Sequence, residues 1–214
     1  MIDLSRYRIV DLSMPIRPGI WKVNGEYLHG DQVRRLEARQ FIYEPDKTLM
    51  HFVDTETHIG THVEGPSHHP KGTKSVAELP LEKFIGEALV VDLSHLKPIN
   101  GERRAVTPSD LEKVKAGDIL LIWSSLKCEE APYLSPEVLK WLKEKGIKML
   151  GLQGIDVGEA GVMEEVLCAN DIPVIEGMVN LEKLKRERVF FIGFPIRMIG
   201  LDSSWIRAVA LEEL

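Results

Sequence analysis

The chain has 214 residues, 44% hydrophobic and 28% charged, so it is long enough to bury about 70% of its unfolded surface without disulfides. Its net charge of −6 excludes a general nucleic-acid binder, because neutralising phosphates needs a basic field. No apolar run approaches the roughly 20 residues of a membrane span, and residues 1–8 lack the apolar centre of a signal peptide.

In chain order, residues 9–12 predict a short apolar strand around Asp11, ended by Pro15, Pro18 and Gly19. Residues 17–45 show no clear period and fit a long arm or irregular strands. Residues 88–93 and 119–123 are apolar runs bounded by turn residues and predict buried strands. Thr107-Pro108-Ser109-Asp110 sets an N-cap hydroxyl before a proline and predicts a helix that ends near Gly117. Ser135-Pro136-Glu137 opens a second helix, with Val138, Leu139 and Leu142 on one face and Gly146 as its stop. Residues 147–152 predict a strand, 159–169 a third helix, and 172–175, 189–192 and 205–211 further strands. Strands alternate with helices only in the second half. The expectation is therefore an α/β fold with a mixed sheet, forming one domain over residues 1–214, with only a weak break near Pro80. Cys128 and Cys168 make no framework and no Cys-x-x-Cys pair, so they are expected to be buried thiols of a soluble, cytoplasmic protein.

Seven histidines occur, and His58, His62, His68 and His69 crowd into twelve residues. Around them Val53, Thr55, Thr57, Ile59, Thr61 and Val63 hold the odd positions, while Asp54, Glu56, His58, Gly60, His62 and Glu64 hold the even ones. Alternation with β-branched residues predicts a strand with one packed face and one face of imidazoles and carboxylates. On a straight strand residues four apart are separated by roughly 13 Å, too far for two histidines to share one ion comfortably. The strand is expected to bend at Gly60, which has no Cβ to resist it. His62 and Glu64, roughly 7 Å apart, converge without distortion. Gly65-Pro66 then turns the chain and can bring His68 back over the site. Two imidazoles and a carboxylate suit zinc, manganese or iron(II).

The run His58-x-Gly60-Thr61-His62-x-Glu64-x-Pro66-x-His68 resembles the signature His-x-Gly-Thr-His-x-Asp-x-Pro-x-His of the cyclase family of metal-dependent hydrolases, which includes bacterial kynurenine formamidase and isatin hydrolase. Asp11-Leu12-Ser13-Met14-Pro15 is similar to that family's opening segment. Asn170 to Gly177 is similar to the later segment that ends in a metal-binding glutamate. The resemblance implies a swivelling β/β/α fold, a homodimer or homotetramer, and one or two divalent ions, zinc or manganese. It implies that His58, His62 and Glu64 bind the first ion, that Glu64 bridges to a second, that Glu176 is a ligand there, and that His68 is the general acid and base.

Three departures from the family stand out. Glu64 replaces an aspartate, which moves the carboxylate by about 1.5 Å and keeps it a competent oxygen ligand. Glu164 stands where a histidine ligand is usual, either as a harder ligand that favours manganese or as an ordinary helix residue. Val23-Asn24-Gly25 replaces an aromatic-Pro-Gly, with Trp21 as a substitute for the pocket wall. The implied activity is hydrolysis of an amide, formamide, cyclic amide or lactone by a metal-activated water, on a small carbonyl substrate, with no nucleic acid or membrane partner. The alternative is a non-catalytic metal- or small-molecule-binding module of the same fold. A serine nucleophile is disfavoured, because no Gly-x-Ser-x-Gly elbow is present.

Overall fold

The apolar runs at residues 88–93 and 119–123 become the middle of a sheet whose two faces are both covered. The computed structural model describes residues 3–22, 28–29 and 32–214, so the departure at Val23-Asn24-Gly25 lies outside the described residues. Among the described residues, nine strands form one mixed sheet. In spatial order they are Tyr7–Asp11, Val209–Glu213, Arg188–Ile192, Ile85–Asp92, Ile119–Trp123, Met149–Gln153, Val174–Glu176, His62–Glu64 and Ser203–Trp205. The strands from Ile85–Asp92 to Val174–Glu176 run parallel, and the outer pairs are antiparallel.

Parallel neighbours need crossovers, and the two α-helices lie in them. Helix α1 (Pro136–Lys145) starts as its sequence predicts: Ser135 Oγ accepts the Val138 N–H at 3.3 Å, and Gly146 ends it in the left-handed region. Its Val138, Leu139 and Leu142 pack on Leu120, Ile122, Leu150 and Leu152. Ile119, Leu121 and Met149, of opposite parity, face a second cluster with Val63, Phe84, Phe191 and Ala210. Each such fully buried aliphatic side chain contributes about 1.5–3 kcal/mol.

Several expected elements differ. The helix expected from Thr107 is a single 3-10 turn, Pro108–Leu111, held by a Thr107–Asp110 capping box. The chain breaks early because Asp118 draws the Lys115 N–H to its side chain at 2.8 Å and Gly117 turns left-handed. The expected helix at 159–169 is a short α2 (Val162–Val166) followed by a 3-10 turn, Cys168–Asn170. The strand expected at 205–211 is two strands at different places in the sheet. Leu12 N–H bonds Ala208 O at 2.9 Å and Ile206 N–H bonds Thr61 O at 3.3 Å, so residues 206–208 join the two ends of a curled sheet. Cys168 is buried as expected, but Cys128 is exposed.

The irregular stretch after residue 17 leads into an antiparallel hairpin, Arg35–Tyr43 with Thr48–Thr55. No described residue of this arm belongs to either core cluster. No helix among the described residues is long and apolar enough to cross a membrane.

Candidate metal centre

The histidine segment is not one bent strand. It leaves the hairpin at Thr55, crosses residues 56–61 without strand pairing, and enters the main sheet at His62. The expected alternation of faces therefore fails: Val53 is exposed, while Ile59, His62, Val63 and Glu64 are all buried. The bend falls at Gly60 as expected, at φ +68°, where a Cβ would meet Ile16 Cγ1 at 2.6 Å. Gly177, at φ +66°, packs its Cα against the Gly60 carbonyl, 2.3 Å from where a Cβ would stand. Thr61 ties these backbones together, donating to Gly177 O and accepting from Met14 N–H, both at 2.7 Å. The bend brings the His58 and His62 rings to 5.0 Å between centroids.

Strand pairing supplies the rest. His62 lies opposite Glu176 on one side and Trp205 on the other. The 3-10 turn Pro66–His68 returns His68 to the site, with its ring 4.4 Å from that of His58. Glu64 Oε1 is the common point, 3.2 Å from His58 Nδ1, 3.5 Å from His68 Nε2 and 3.6 Å from His62 Nε2. Donor atoms of His58, Glu64 and His68 lie within 4.8 Å of one another, and so do those of His62, Glu64 and Glu176. Glu64 thus joins two potential cation positions. Glu164 belongs to neither group; its Oε2 is buried with no hydrogen-bond partner. Its charge nevertheless reaches the same pocket: after burial, the Glu64, Glu164 and Glu176 carboxylates push the Cys168 thiol up.

The donor set fits a divalent cation. His62 Nδ1 lies 3.0 Å from the Gly60 carbonyl and donates to it, which leaves Nε2 as the lone-pair nitrogen. That Nε2 and Glu64 Oε2 are buried and have no hydrogen-bond partner. Buried polar atoms left in this way are costly unless something outside the protein satisfies them.

Charge at the centre is balanced by the imidazoles. Burial works against a charged His58, but hydrogen bonds to Asp202 and Glu64 outweigh it and raise its pKa to about 9. Burial works against an ionised Glu64, but the His58 and His62 imidazoles bring it down to about 2. Asp202, between His58 and His68, is held far below the usual carboxylate range by those two hydrogen bonds. His68 is raised, chiefly by its hydrogen bond to Asp202. Glu176 is raised by desolvation and by the Glu64 charge. His69, half-buried, accepts the Lys71 N–H at 3.3 Å. Asp202 is the residue that sequence reasoning missed. It stands 134 positions from His68, and no local pattern marks it.

Beside Glu176 a cavity of about 340 Å³ is lined by Met14, Leu152, Ile155, Met178, Cys128 and Asp156. The lining combines apolar side chains with the carboxylates of Asp156 and Glu176, which suits a small molecule with an apolar body and a polar reacting end.

The chain is 27% identical over 220 residues to the kynurenine formamidase of Erythrobacter litoralis, an alignment that covers 97% of this chain and 95% of that protein. It is 29% identical over 164 residues to the kynurenine formamidase of Bacillus cereus, covering 71% of this chain and 75% of the relative. Isatin hydrolase A from Labrenzia aggregata shares the fold, with a TM-score of 0.80 at 19% identity over 98% of this chain and 95% of that one. The Cyclase family model matches residues 10–159, well over half of the sequence, and the chain belongs to that family.

Proposed function

We propose that this chain is a metal-dependent hydrolase that cleaves an amide, a formamide in the manner of an arylformamidase, a cyclic amide or a lactone. The observation that carries the reading is the pair of buried, unpartnered donor atoms, His62 Nε2 and Glu64 Oε2, at the centre of the histidine cluster. The relatives named kynurenine formamidase, one of them aligned along nearly the whole chain, support the choice of a carbon–nitrogen bond.

His58, His62 and Glu64 would hold a first ion, and Glu176 with Glu164 would complete a second position; this asks the His58 side chain to close on His62 and that of Glu164 to turn toward Glu176, because the side chains group otherwise without an ion. Zinc or manganese, as one ion or two, suits these donors. A divalent cation bound there supplies Lewis-acid polarisation of a carbonyl and lowers the pKa of water toward ~7. The chain's own groups do the rest. His68 Nε2, in the neutral ring, takes a proton from water and returns it to the departing nitrogen or oxygen. The cavity walls beside Glu176 hold the apolar part of a small carbonyl substrate. Residues 1–214 act as one domain, a reading supported by the pairing of Tyr7–Asp11 with Val209–Glu213. The protein works as a homodimer or homotetramer, a reading supported by the uncovered arm.

The test is metal content together with turnover. Purified protein is expected to hold at least one divalent ion per chain and to hydrolyse an N-formyl aryl amide, a cyclic imide or a lactone. Tight metal without turnover on any of these would favour the binding module instead. His68→Ala is expected to keep its metal and to lose turnover by about 100-fold or more. Because His68 lies within ligand distance of Glu64 and His58, loss of metal in that variant would make it a ligand rather than a base.

A further inference from the structure

Asp202 reaches the centre from outside the histidine segment and has no part in the reading above. Its Oδ2 lies 2.7 Å from His58 Nε2 and 2.8 Å from His68 Nδ1. Thr57 Oγ1 donates to its Oδ1 at 3.4 Å. Its backbone is locked to the ligand strand. The Gly65 N–H donates to Asp202 O at 2.8 Å, the Val76 N–H donates to Leu201 O at 3.2 Å, and Ser203 pairs with Glu64. Asp202 cannot move away from the turn that carries His68 without breaking these bonds. It also lies outside residues 10–159, so the family match assigns it nothing.

An ionised carboxylate only accepts hydrogen bonds. Both ring nitrogens that face Asp202 Oδ2 therefore carry hydrogen. His58 holds its hydrogen on Nε2 and turns Nδ1 to Glu64 Oε1 at 3.2 Å. His68 holds its hydrogen on Nδ1 and turns Nε2 to the same oxygen at 3.5 Å. Glu64 is ionised too and accepts from His58 Nδ1, so without an ion that ring carries both hydrogens; a bound cation would replace the Nδ1 hydrogen, while the Nε2 hydrogen held by Asp202 stays. A neutral His68 ring, with its hydrogen on Nδ1, carries its lone pair on Nε2. One oxygen thus selects the ligating atom of one histidine and the proton-accepting atom of the other.

We propose that Asp202 is a positioning residue that fixes the tautomers of His58 and His68, presenting His58 Nδ1 to the cation and His68 Nε2 to the reacting water. The His68 half of this assignment rests on the hydrolase reading. When His68 Nε2 takes a proton, the ring becomes cationic and Asp202 stabilises it through the Nδ1–H bond. No proton passes to Asp202, and the His68 proton leaves again from Nε2. The arrangement differs from an ordinary ligand–carboxylate pair, because the same carboxylate grips the ligand and the base.

Two readouts test it. Long-range nitrogen–proton NMR of the zinc-loaded protein is expected to place hydrogen on His68 Nδ1 and His58 Nε2. Asp202→Asn, whose amide can donate to a ring nitrogen, is expected to disturb both tautomers and to lower kcat by about 100-fold or more with little change in KM. Asp202→Glu, which keeps an acceptor, is expected to recover most of that loss. Hydrogen on His68 Nε2 with none on Nδ1 in the unaltered protein would overturn the proposal, as would an Asp202→Asn protein with unchanged kcat and unchanged tautomers. If Asp202→Asn fails to fold, the tautomers of the unaltered protein decide alone. If no carbonyl substrate is turned over, the hydrolase reading fails, while the NMR readout still decides what Asp202 does to the rings.

Discussion

Glu64 carries more of the centre than any other residue. Its Oε1 is the point on which three imidazoles converge, and its Oε2 is buried without a partner. With a pKa near 2 it is fully ionised at neutral pH, so it meets a cation as a hard anionic ligand. Glu64→Gln removes that charge while keeping the volume. Metal remaining after dialysis is expected to fall to about one-tenth or less of the unaltered protein's content, as measured by elemental analysis. Undiminished metal would remove Glu64 from the ligand set. Glu64→Asp, the residue usual in the resembled signature, should retain metal. At this scale the sequence was informative where ligands are neighbours along the chain, because spacing and chemistry could be read together. It was silent on Asp202, one of 33 acidic residues, which meets His68 only through the folding of the sheet.

The elements of the site were legible in kind rather than in extent. The β-branched alternation marked extended chain, and a glycine stood where roughly 13 Å of straight strand had to shorten. Alternation could not show that the chain exchanges one sheet for another between Thr55 and His62. That exchange is set by contacts with Met14, Ile16 and Gly177, which lie far away in sequence. It also leaves the arm alone. Gly19–Ile20 pairs beside the hairpin to make a small three-stranded sheet, and this arm keeps Leu49 at 63%, Phe52 at 59%, Val53 at 56% and Ile42 at 54% exposure. The stacked rings of Phe41 and Phe52, 4.6 Å apart, cover one another only in part. Leu36, Ala38, Ile42, Leu49 and Val53 share one face by register, and Phe41, Met50 and Phe52 the other. Both faces therefore need a cover. A second copy of the chain, with its own arm, supplies apolar surface in kind. Light scattering is expected to give a dimer or larger for the unaltered protein and a smaller species for the double change Leu49→Asp and Phe52→Asp. A monomeric unaltered protein would contradict this, and a dimer indifferent to the double change would place the interface elsewhere.

At the scale of the molecule, the sheet curls so that residues 206–208 link its Tyr7–Asp11 end to its Ser203–Trp205 end, and neither composition nor periodicity reports such closure. One buried carboxylate pins the first of those ends. Glu212, 4% exposed, lies on the strand Val209–Glu213 and accepts the backbone N–H groups of Lys185 and Arg186 and the guanidinium of Arg8 from the opposing strand. Burial would raise its pKa, but Arg8 and the two N–H groups hold it below the ordinary 4.5. Between the lowered folded value and 4.5 the unfolded chain binds more protons than the folded one. The stability that Glu212 contributes is therefore complete above about pH 4.5 and drains away as the pH falls through the folded value, by at most about 1.4 kcal/mol per pH unit for one proton. Glu212→Gln keeps one acceptor and loses the charge, so at about pH 7 it should cost about 2–4 kcal/mol in urea unfolding of the metal-free protein. Glu64 and Asp202, also lowered, make the whole protein acid-sensitive, but they act alike in both proteins and cancel in the comparison. The gap between the two unfolding curves should then narrow steadily below pH 4.5, because acid neutralises in the unaltered chain the charge that the variant already lacks. A gap that stays constant as the pH falls would mean that Glu212 holds these neighbouring strands together by packing and neutral hydrogen bonds alone.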